Sequence, residues 1–286
     1  TLFRSGQKSD FVSIRNAKAC AEIIGPNTRI KDLTQGEITR LIQTFKKQGN
    51  SNATINRKLA ALRVVIKRAQ RTEALTRPIV IESLREAESR ERVISADEEA
   101  KMLRWCELMG DDEFALYIIL SLDTGLRQGE AMKLVWADFQ DEAVVVRVSK
   151  GGKPRMVPLT ERLKPALVGS LELIGAHAPR KAVFPTLNPN TIAHRWGRMR
   201  QAMGLLDDPQ FVPHAMRHTF CSRLASLGVN AKTIQTLAGH ATILTTQKYM
   251  HVDLTDLRAA VTSLSQGRGV LPQGQPQAGN GVSLVH

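Results

Sequence analysis

Residues 213–251, which read PHAMRHTFCSRLASLGVNAKTIQTLAGHATILTTQKYMH, carry the most informative spacing in the chain. His214 and Arg217 are three positions apart, so on a helix their side chains share one face and can reach one ligand. His240 follows Arg217 by 23 positions, and Tyr249 follows His240 by nine. This order of residue types suits chemistry at a phosphate group.

A further basic residue lies upstream of this stretch. Arg127 stands in TGLRQGE (124–130), directly after a strongly apolar helix predicted over Phe114–Leu122. Cleavage of a phosphodiester requires cations that neutralise the non-bridging oxygens, a nucleophile, and a donor that protonates the departing oxygen. The sequence shows no carboxylate or histidine cluster with metal-ligand spacing. We therefore predict that fixed cations do this work, with no metal and no other cofactor.

The order Arg127…His214-x-x-Arg217…Gly-His240…Tyr249 resembles the catalytic pattern of the tyrosine recombinases of the phage integrase family. The resemblance covers about residues 95–260 and rests on four sequence segments: TGLRQGE, SKGGKPRMVPL, PHAMRHTF and LAGHATILTTQKYMHV. The word INRKLAALR extends it less specifically into residues 1–88. Ala238 stands where Leu-Gly-His is the commoner form, a change with no chemical consequence.

The resemblance implies a role for each matching residue. Arg127 and Arg217 would hold the scissile phosphate, because guanidinium forks suit bidentate contacts with phosphate oxygens. His214 would assist proton transfer at the tyrosine, and His240 would hydrogen-bond the phosphate. Tyr249 would attack phosphorus, giving a 3′-phosphotyrosine link and a free 5′-hydroxyl. That link retains the bond energy, so the strand can be resealed without ATP.

The proton donor is expected in a β-hairpin. Val144–Val148 and Arg155–Leu159 are predicted strands joined by a Gly-Gly turn. The resemblance places the general acid at Lys150, so the implied catalytic set is Arg127, Lys150, His214, Arg217, His240 and Tyr249. Lys153 and Arg155 are the rivals of Lys150, and we predict that they contact the DNA backbone instead.

Three further residues are expected to take no direct part in the reaction. The chain has only two tyrosines, and Tyr117 lies inside the apolar stretch Phe114–Leu122, which predicts that it is buried and leaves Tyr249 as the nucleophile. Glu130 is expected to orient its neighbours rather than to react. His218, next to Arg217, is interpreted as structural.

The charge of the chain points to a polyanionic partner. Its 40 Lys and Arg exceed its 27 Asp and Glu, giving a net charge of +13, of which residues 1–90 carry +10. A helix beginning near Ser51 has an apolar stripe with basic residues mostly beside it, a pattern that suits contact with DNA phosphates as well as with solvent. Its candidate DNA contacts are Arg57, Lys58, Arg63 and Lys67.

The organisation of the chain follows from these patterns. We predict a helical core-type DNA-binding domain over residues 1–88, a linker over 89–94, a catalytic domain over 95–265 and a flexible tail over 266–286. The fold class is mostly α with a small antiparallel sheet (α+β). A further strand is predicted over residues 182–184, and Ser95 is expected to cap the first catalytic helix.

The function predicted is site-specific recombination of double-stranded DNA, by a protein that forms a dimer on one site and a tetramer in synapsis, with accessory DNA-bending proteins as further partners. Two alternatives stay open: a type IB topoisomerase-like enzyme that nicks and reseals one duplex, and a DNA-binding regulator without catalysis. Three scattered cysteines and the lack of a long apolar run favour the cytoplasm of a prokaryote or of a phage-infected host, with no membrane partner.

Overall fold

A computed structural model describes residues 8–75, 78–86, 92–140, 142–147, 154–174, 179–250 and 262. The chain divides into two compact units, residues 1–89 and 90–286. Within the described ranges, no helix has the length and apolar character needed to cross a bilayer.

The first unit is built from three helices. These are α1 (Lys8–Ile24), α2 (Gln35–Lys47) and α3 (Asn52–Arg71). Thr34 caps α2 in a capping box with Glu37, and Ser51 caps α3 by accepting a hydrogen bond from the backbone of Thr54. The predicted start of α3 near Ser51 is confirmed.

The core of the first unit forms where α3 packs against α1 and α2. The predicted apolar stripe of α3 is buried along its whole length: Ile55, Leu59, Leu62, Ile66 and Ala69. Residues 78–86 lie alongside this core through Ile79, Ile81 and Leu84. Burial of each large aliphatic side chain contributes about 2 kcal/mol, so the stripe fixes which face of α3 remains exposed.

The second unit begins with three helices. These are α4 (Ala96–Met109), α5 (Asp112–Thr124) and α6 (Gln128–Ala131). Ser95 caps α4, as predicted, and it also forms a capping box with Glu98. Helix α5 ends at Gly125, whose φ of 62° is left-handed. A Cβ there would lie 2.3 Å from the Phe220 ring, so only glycine fits between the two elements.

A small antiparallel sheet follows, of strands β1 (Phe139–Gln140), β2 (Ala143–Val146) and β3 (Arg155–Pro158) in that order. Val144 pairs with Val157, which confirms the predicted hairpin. The strand predicted over 182–184 is wrong: the described structure has only one isolated bridge there, between Val135 and Ala182. Its apolar residues Val183 and Phe184 are buried without forming a ladder.

Five helices complete the described part of the second unit. They are α7 (Leu163–Ile174), α8 (Pro189–Ala202), α9 (His214–Ser226), α10 (Ala231–Ala238) and α11 (Ile243–Gln247). Helix α5 packs against α4, α7 and α9 and is the centre of the core. Tyr117 is 1% exposed between Phe114 and Phe184, as predicted. The predicted tail, 266–286, lies outside the described residues.

The architecture is therefore mostly helical with one small antiparallel sheet, which confirms the predicted fold class. In the second unit, the described site residues lie at or next to the ends of helices. Arg127 precedes α6, His214 and Arg217 lie in the first turn of α9, His240 follows α10, and Tyr249 follows α11. Each position is next to a helix end, where a tight turn fixes the backbone.

Candidate active site

Arg217 is the most deeply buried cation of the site. It is 4% exposed, and its Nη1 donates to the carbonyl of Gly125 at 2.6 Å. Its Nη2 is buried and has no hydrogen-bond partner among the described residues. Burial and the neighbouring positive charge of Arg127 lower the pKa of Arg217 to about 10. The guanidinium stays charged at neutral pH, and an anion would satisfy both its charge and its unpaired donor.

Arg127 lies beside Arg217 and is more open, with 36% of its side chain exposed. Its Nη1 donates to Glu130 at 3.0 Å, and its Nη2 donates to the carbonyl of Gly239 at 3.0 Å. The second bond ties the start of α6 to the residue that precedes His240. Arg127 is thus held in place by two acceptors while part of its guanidinium faces solvent.

Glu130 orients this arginine and a second one. Its buried carboxylate accepts from Arg127 and from Arg155, whose Nη2 lies 2.7 Å from Oε2. Burial raises the pKa of Glu130, but the hydrogen bonds from Arg155 and Arg127 outweigh that effect, and the pKa lies below its usual value. The orienting role expected for Glu130 agrees with this arrangement.

The position of Arg155 corrects the predicted DNA-backbone contact. Its side chain is 6% exposed, pairs with Glu130, and donates through Nε to the carbonyl of Leu237 at 2.9 Å. It therefore has no donor directed at a surface phosphate, and it links β3 to the end of α10. Gly239 is required beside it, since its φ is 67° and a Cβ would lie 2.7 Å from Arg155 Nη1.

Replacing Glu130 by Gln is expected to destabilise the protein by about 3 kcal/mol, because Arg155 would keep its buried charge without a counter-charge. The pKa of Glu130 is lowered in the folded state, so its contribution is complete above about pH 5 and is lost as the pH falls through the folded pKa. Urea unfolding of Glu130→Gln and the parent chain at pH 7 and pH 3 measures both effects.

The matched control is Glu107→Gln, which breaks a surface pair with Arg104 and should cost less than 1 kcal/mol. If Glu130→Gln unfolds at the same urea concentration as Glu107→Gln at pH 7, the buried network does not stabilise the unit. The difference between Glu130→Gln and the parent should also shrink at pH 3, which lies below the pKa of about 4.3 that a glutamate has in an unfolded chain.

Tyr249 lies inside the site rather than on its surface. It is 6% exposed, and its ring is parallel to the His240 ring, with 7° between the planes and 6.2 Å between the centroids. Its hydroxyl lies 2.7 Å from Nδ1 of His218. The interpretation of His218 as structural is therefore incomplete, because this histidine contacts the predicted nucleophile.

His240 is held by α11. Its Nδ1 lies 2.8 Å from Oγ1 of the buried Thr246, which leaves Nε2 as the nitrogen for a second partner. Burial, and then the charges of Arg217 and Arg127, lower the pKa of His240 to about 4. The ring is neutral at pH 7, and when Thr246 donates to Nδ1, Nε2 carries the proton and can donate to an anion.

His214 lies at the exposed edge of the site. Its ring meets the His218 ring edge-on, with centroids 4.7 Å apart. Partial desolvation, and then Arg217 and Arg127, lower the pKa of His214. The first turn of α9 therefore presents a neutral histidine next to a buried cation.

The remaining candidates differ in their surroundings. Lys150 and Lys153 lie outside the described residues. On α3, Lys58 donates to Asn50 and lies over the Phe45 ring at 4.0 Å, and Arg63 donates to the carbonyl of Ile81. These two side chains are engaged within the first unit, which weakens their assignment as phosphate contacts. Arg57 and Lys67 are exposed and stay predicted DNA contacts.

The arrangement favours an anion that meets both arginines. The charges of both guanidiniums act on the neutral rings of His214 and His240, and the neutral ring of His218 contacts the Tyr249 hydroxyl. Donors fixed in this way stabilise the charge that builds on a phosphate during its transfer without having to reorganise. Burial, and then the positive charges near these histidines, Arg217 among them, lower the pKa values of His214, His218 and His240. A bound phosphate would neutralise the charge of the arginines.

Comparison with known proteins agrees with this chemistry. The model of the phage integrase family matches residues 92–255. The tyrosine recombinase XerC of Rhizobium meliloti is 33% identical over 239 residues, which cover 77% of this chain and 73% of that protein. The XerC of Mesorhizobium japonicum is 30% identical over 247 residues, which cover 80% and 77%.

Solved structures share the fold. The Tn1549 transposon integrase in complex with transposon right end DNA superposes with a TM-score of 0.73 at 18% identity, over 92% of this chain and 95% of that one. A lambda integrase dimer bound to a COC′ core site gives a TM-score of 0.71 at 23% identity, over 86% and 72%. With the family match over more than half of its residues, the chain belongs to the phage integrase family, the tyrosine recombinases that cleave and rejoin DNA.

Proposed function

We propose that this chain is a site-specific recombinase in which Tyr249 is the nucleophile and Arg127 and Arg217 bind the scissile phosphate. The observation that carries the proposal is the buried Nη2 of Arg217, which has no partner among the described residues, in the unit that also buries Tyr249. An unsatisfied buried donor costs about 1–3 kcal/mol, and a phosphate oxygen would recover that cost.

The roles of the other residues follow from their contacts. His240 donates through Nε2 to a non-bridging oxygen, since Thr246 occupies its Nδ1. His214, at the exposed edge, assists proton transfer. Lys150 protonates the departing 5′-oxygen, a role that rests on the family pattern alone. Glu130 and Arg155 hold Arg127 and the end of α10 in position.

The proposed partners are DNA and further copies of the chain. A basic first unit with the exposed residues Arg57 and Lys67 supplies sequence-independent contacts with the DNA backbone. Exchange between two duplexes requires a dimer on each site and a tetramer in synapsis, and one structural neighbour is a lambda integrase dimer on a core site. We place this activity in the cytoplasm of a prokaryote or phage-infected host, with DNA-bending proteins as accessory partners.

A strand-exchange test separates recombination from simple nicking and resealing. A nicked-duplex pool with a randomised core is first incubated with the parent chain, and the DNA that stays attached in SDS is sequenced. The enriched sequence is then placed twice, in direct repeat, on a supercoiled plasmid. We expect two smaller circles, which only exchange between sites produces. Relaxed plasmid without smaller circles would instead support the topoisomerase-like alternative, and no adduct at all would support the regulator.

A further inference from the structure

The inference concerns the proton that Tyr249 must lose. A phenol attacks phosphorus effectively only as its proton departs, so a proton acceptor must lie within hydrogen-bond reach of the hydroxyl. The histidine that meets this condition in the described structure is His218, whose Nδ1 is 2.7 Å from the Tyr249 oxygen. The two residues are 31 positions apart, so folding, not local sequence, creates the contact.

The surrounding residues fix this contact. The Tyr249 ring is buried and lies parallel to His240, while Nδ1 of His240 is occupied by Thr246. His218 is itself half-buried, and its ring contacts both the Tyr249 ring, at 5.8 Å between centroids, and the ring of His214. His218 thus lies between the nucleophile and the histidine that the family pattern assigns to proton transfer.

We propose that His218 is a catalytic residue that accepts the phenol proton of Tyr249 during DNA cleavage. The inference rests on Tyr249 being the nucleophile. As the Tyr249 oxygen forms its bond to phosphorus, the proton passes to Nδ1 of His218. The bond from phosphorus to the 5′-oxygen breaks, and that oxygen leaves with the electron pair and takes a proton from the general acid, proposed as Lys150. Rejoining reverses each transfer.

The charges around His218 explain how DNA binding would activate it. Burial, and then His214, Arg217 and Lys248, lower the pKa of His218 to about 4. The ring is therefore neutral and has a lone pair for the phenol proton at pH 7. A bound phosphate offsets the positive charge of the arginines, so the proton affinity of His218 rises when substrate is present. The titratable and charged groups that face His218 are His214, Arg217, Lys248, Tyr249 and His240.

The competing explanation is that His218 only positions Tyr249. Two substitutions separate these roles. Asn places an oxygen near Nδ1 and can still accept a hydrogen bond from the phenol, but it cannot take up a proton near neutral pH. Ala removes both functions. A positioning role predicts near-normal activity for His218→Asn, whereas proton transfer predicts that both variants fail.

The experiment measures the rate of SDS-resistant adduct formation on the enriched duplex from pH 6 to pH 9. We expect His218→Asn and His218→Ala to be slower than the parent by roughly 10²-fold at pH 7. The deficit should shrink toward pH 9, because the rising hydroxide concentration then offers another acceptor for the phenol proton. His194→Asn, which changes an exposed histidine on α8, is the matched control and should match the parent.

A second substrate tests which proton is involved. Sulfur in place of the 5′-oxygen leaves readily without protonation, so this substrate should restore cleavage by Lys150→Ala but not by His218→Asn. Parent-like cleavage by His218→Asn, or its rescue by the sulfur substrate, would overturn the inference. Tyr249→Phe is assayed in parallel: an adduct with that variant would overturn the proposed nucleophile itself. Thermal unfolding of each variant checks that a loss of rate is not a loss of fold.

Discussion

Tyr249→Phe is expected to abolish covalent attachment to DNA, a fall of at least roughly 10⁴-fold, because the substitution removes the one atom that bonds to phosphorus. The ring and its parallel contact with His240 remain, so the buried packing is preserved. The loss of the hydrogen bond to His218 should cost only about 1 kcal/mol of stability. This variant should therefore lose DNA cleavage while it keeps nearly all of its folding stability.

The chain supplies its own control for this experiment. Tyr117 is the second of its two tyrosines and lies in the core beside Phe114, so Tyr117→Phe should form the adduct at the parental rate. Trypsin should cut after Lys248 and release the DNA-linked peptide 249–258, which mass spectrometry identifies. An adduct that persists in Tyr249→Phe, or that maps to another peptide, would refute the assignment.

Local spacing predicted the shared face of His214 and Arg217, whereas the family resemblance implied the rest of the site. His214 and Arg217 share a helical turn, and the ends of α10 and α11 bring His240 and Tyr249 into the same site. The apolar stripe of α3 and the capping boxes of α2 and α4 were predictable for the same reason. Each depends on residues within one or two turns of one another.

Contacts between distant elements were not predictable in this way. His218 is four positions after His214, so helical spacing predicts the contact between their rings but not the contact of His218 with Tyr249, 31 positions away. Its partner Tyr249 follows the end of α11. Similarly, Arg63 meets the carbonyl of Ile81 because residues 78–86 return along α3.

The ion pair of Arg155 was predictable from the sequence. Side chains two apart on a strand share a face, and Val157 is the obvious core residue of β3. That alternation places Arg155 on the inner face, where a buried cation needs a counter-charge. Glu130, the acidic residue three positions after Arg127, was the available partner. Combining the two observations would have predicted the ion pair.

Arg217→Met is expected to reduce DNA cleavage by roughly 10³-fold or more, because it removes both the buried positive charge and the donor that would meet a phosphate oxygen. Its thermal unfolding midpoint should equal or exceed that of the parent. Burial, and then the charge of Arg127, lower the pKa of Arg217 to about 10, so its charge opposes folding by about 3 kcal/mol. Loss of the bond to the Gly125 carbonyl offsets part of that gain.

A variant that cleaves DNA far more slowly but unfolds at the parental temperature or above distinguishes a phosphate-binding arginine from a structural one. A residue kept only for structure should lower the unfolding midpoint when it is replaced, whereas a phosphate-binding cation stores an unfavourable interaction that the substrate relieves. Arg217→Lys keeps the charge but not the fork, and should recover little cleavage. Arg198→Lys, at an exposed position on α8, should behave as the parent. If Arg217→Met unfolds far below the parent while its residual cleavage tracks the folded fraction, then Arg217 supports the fold rather than the reaction.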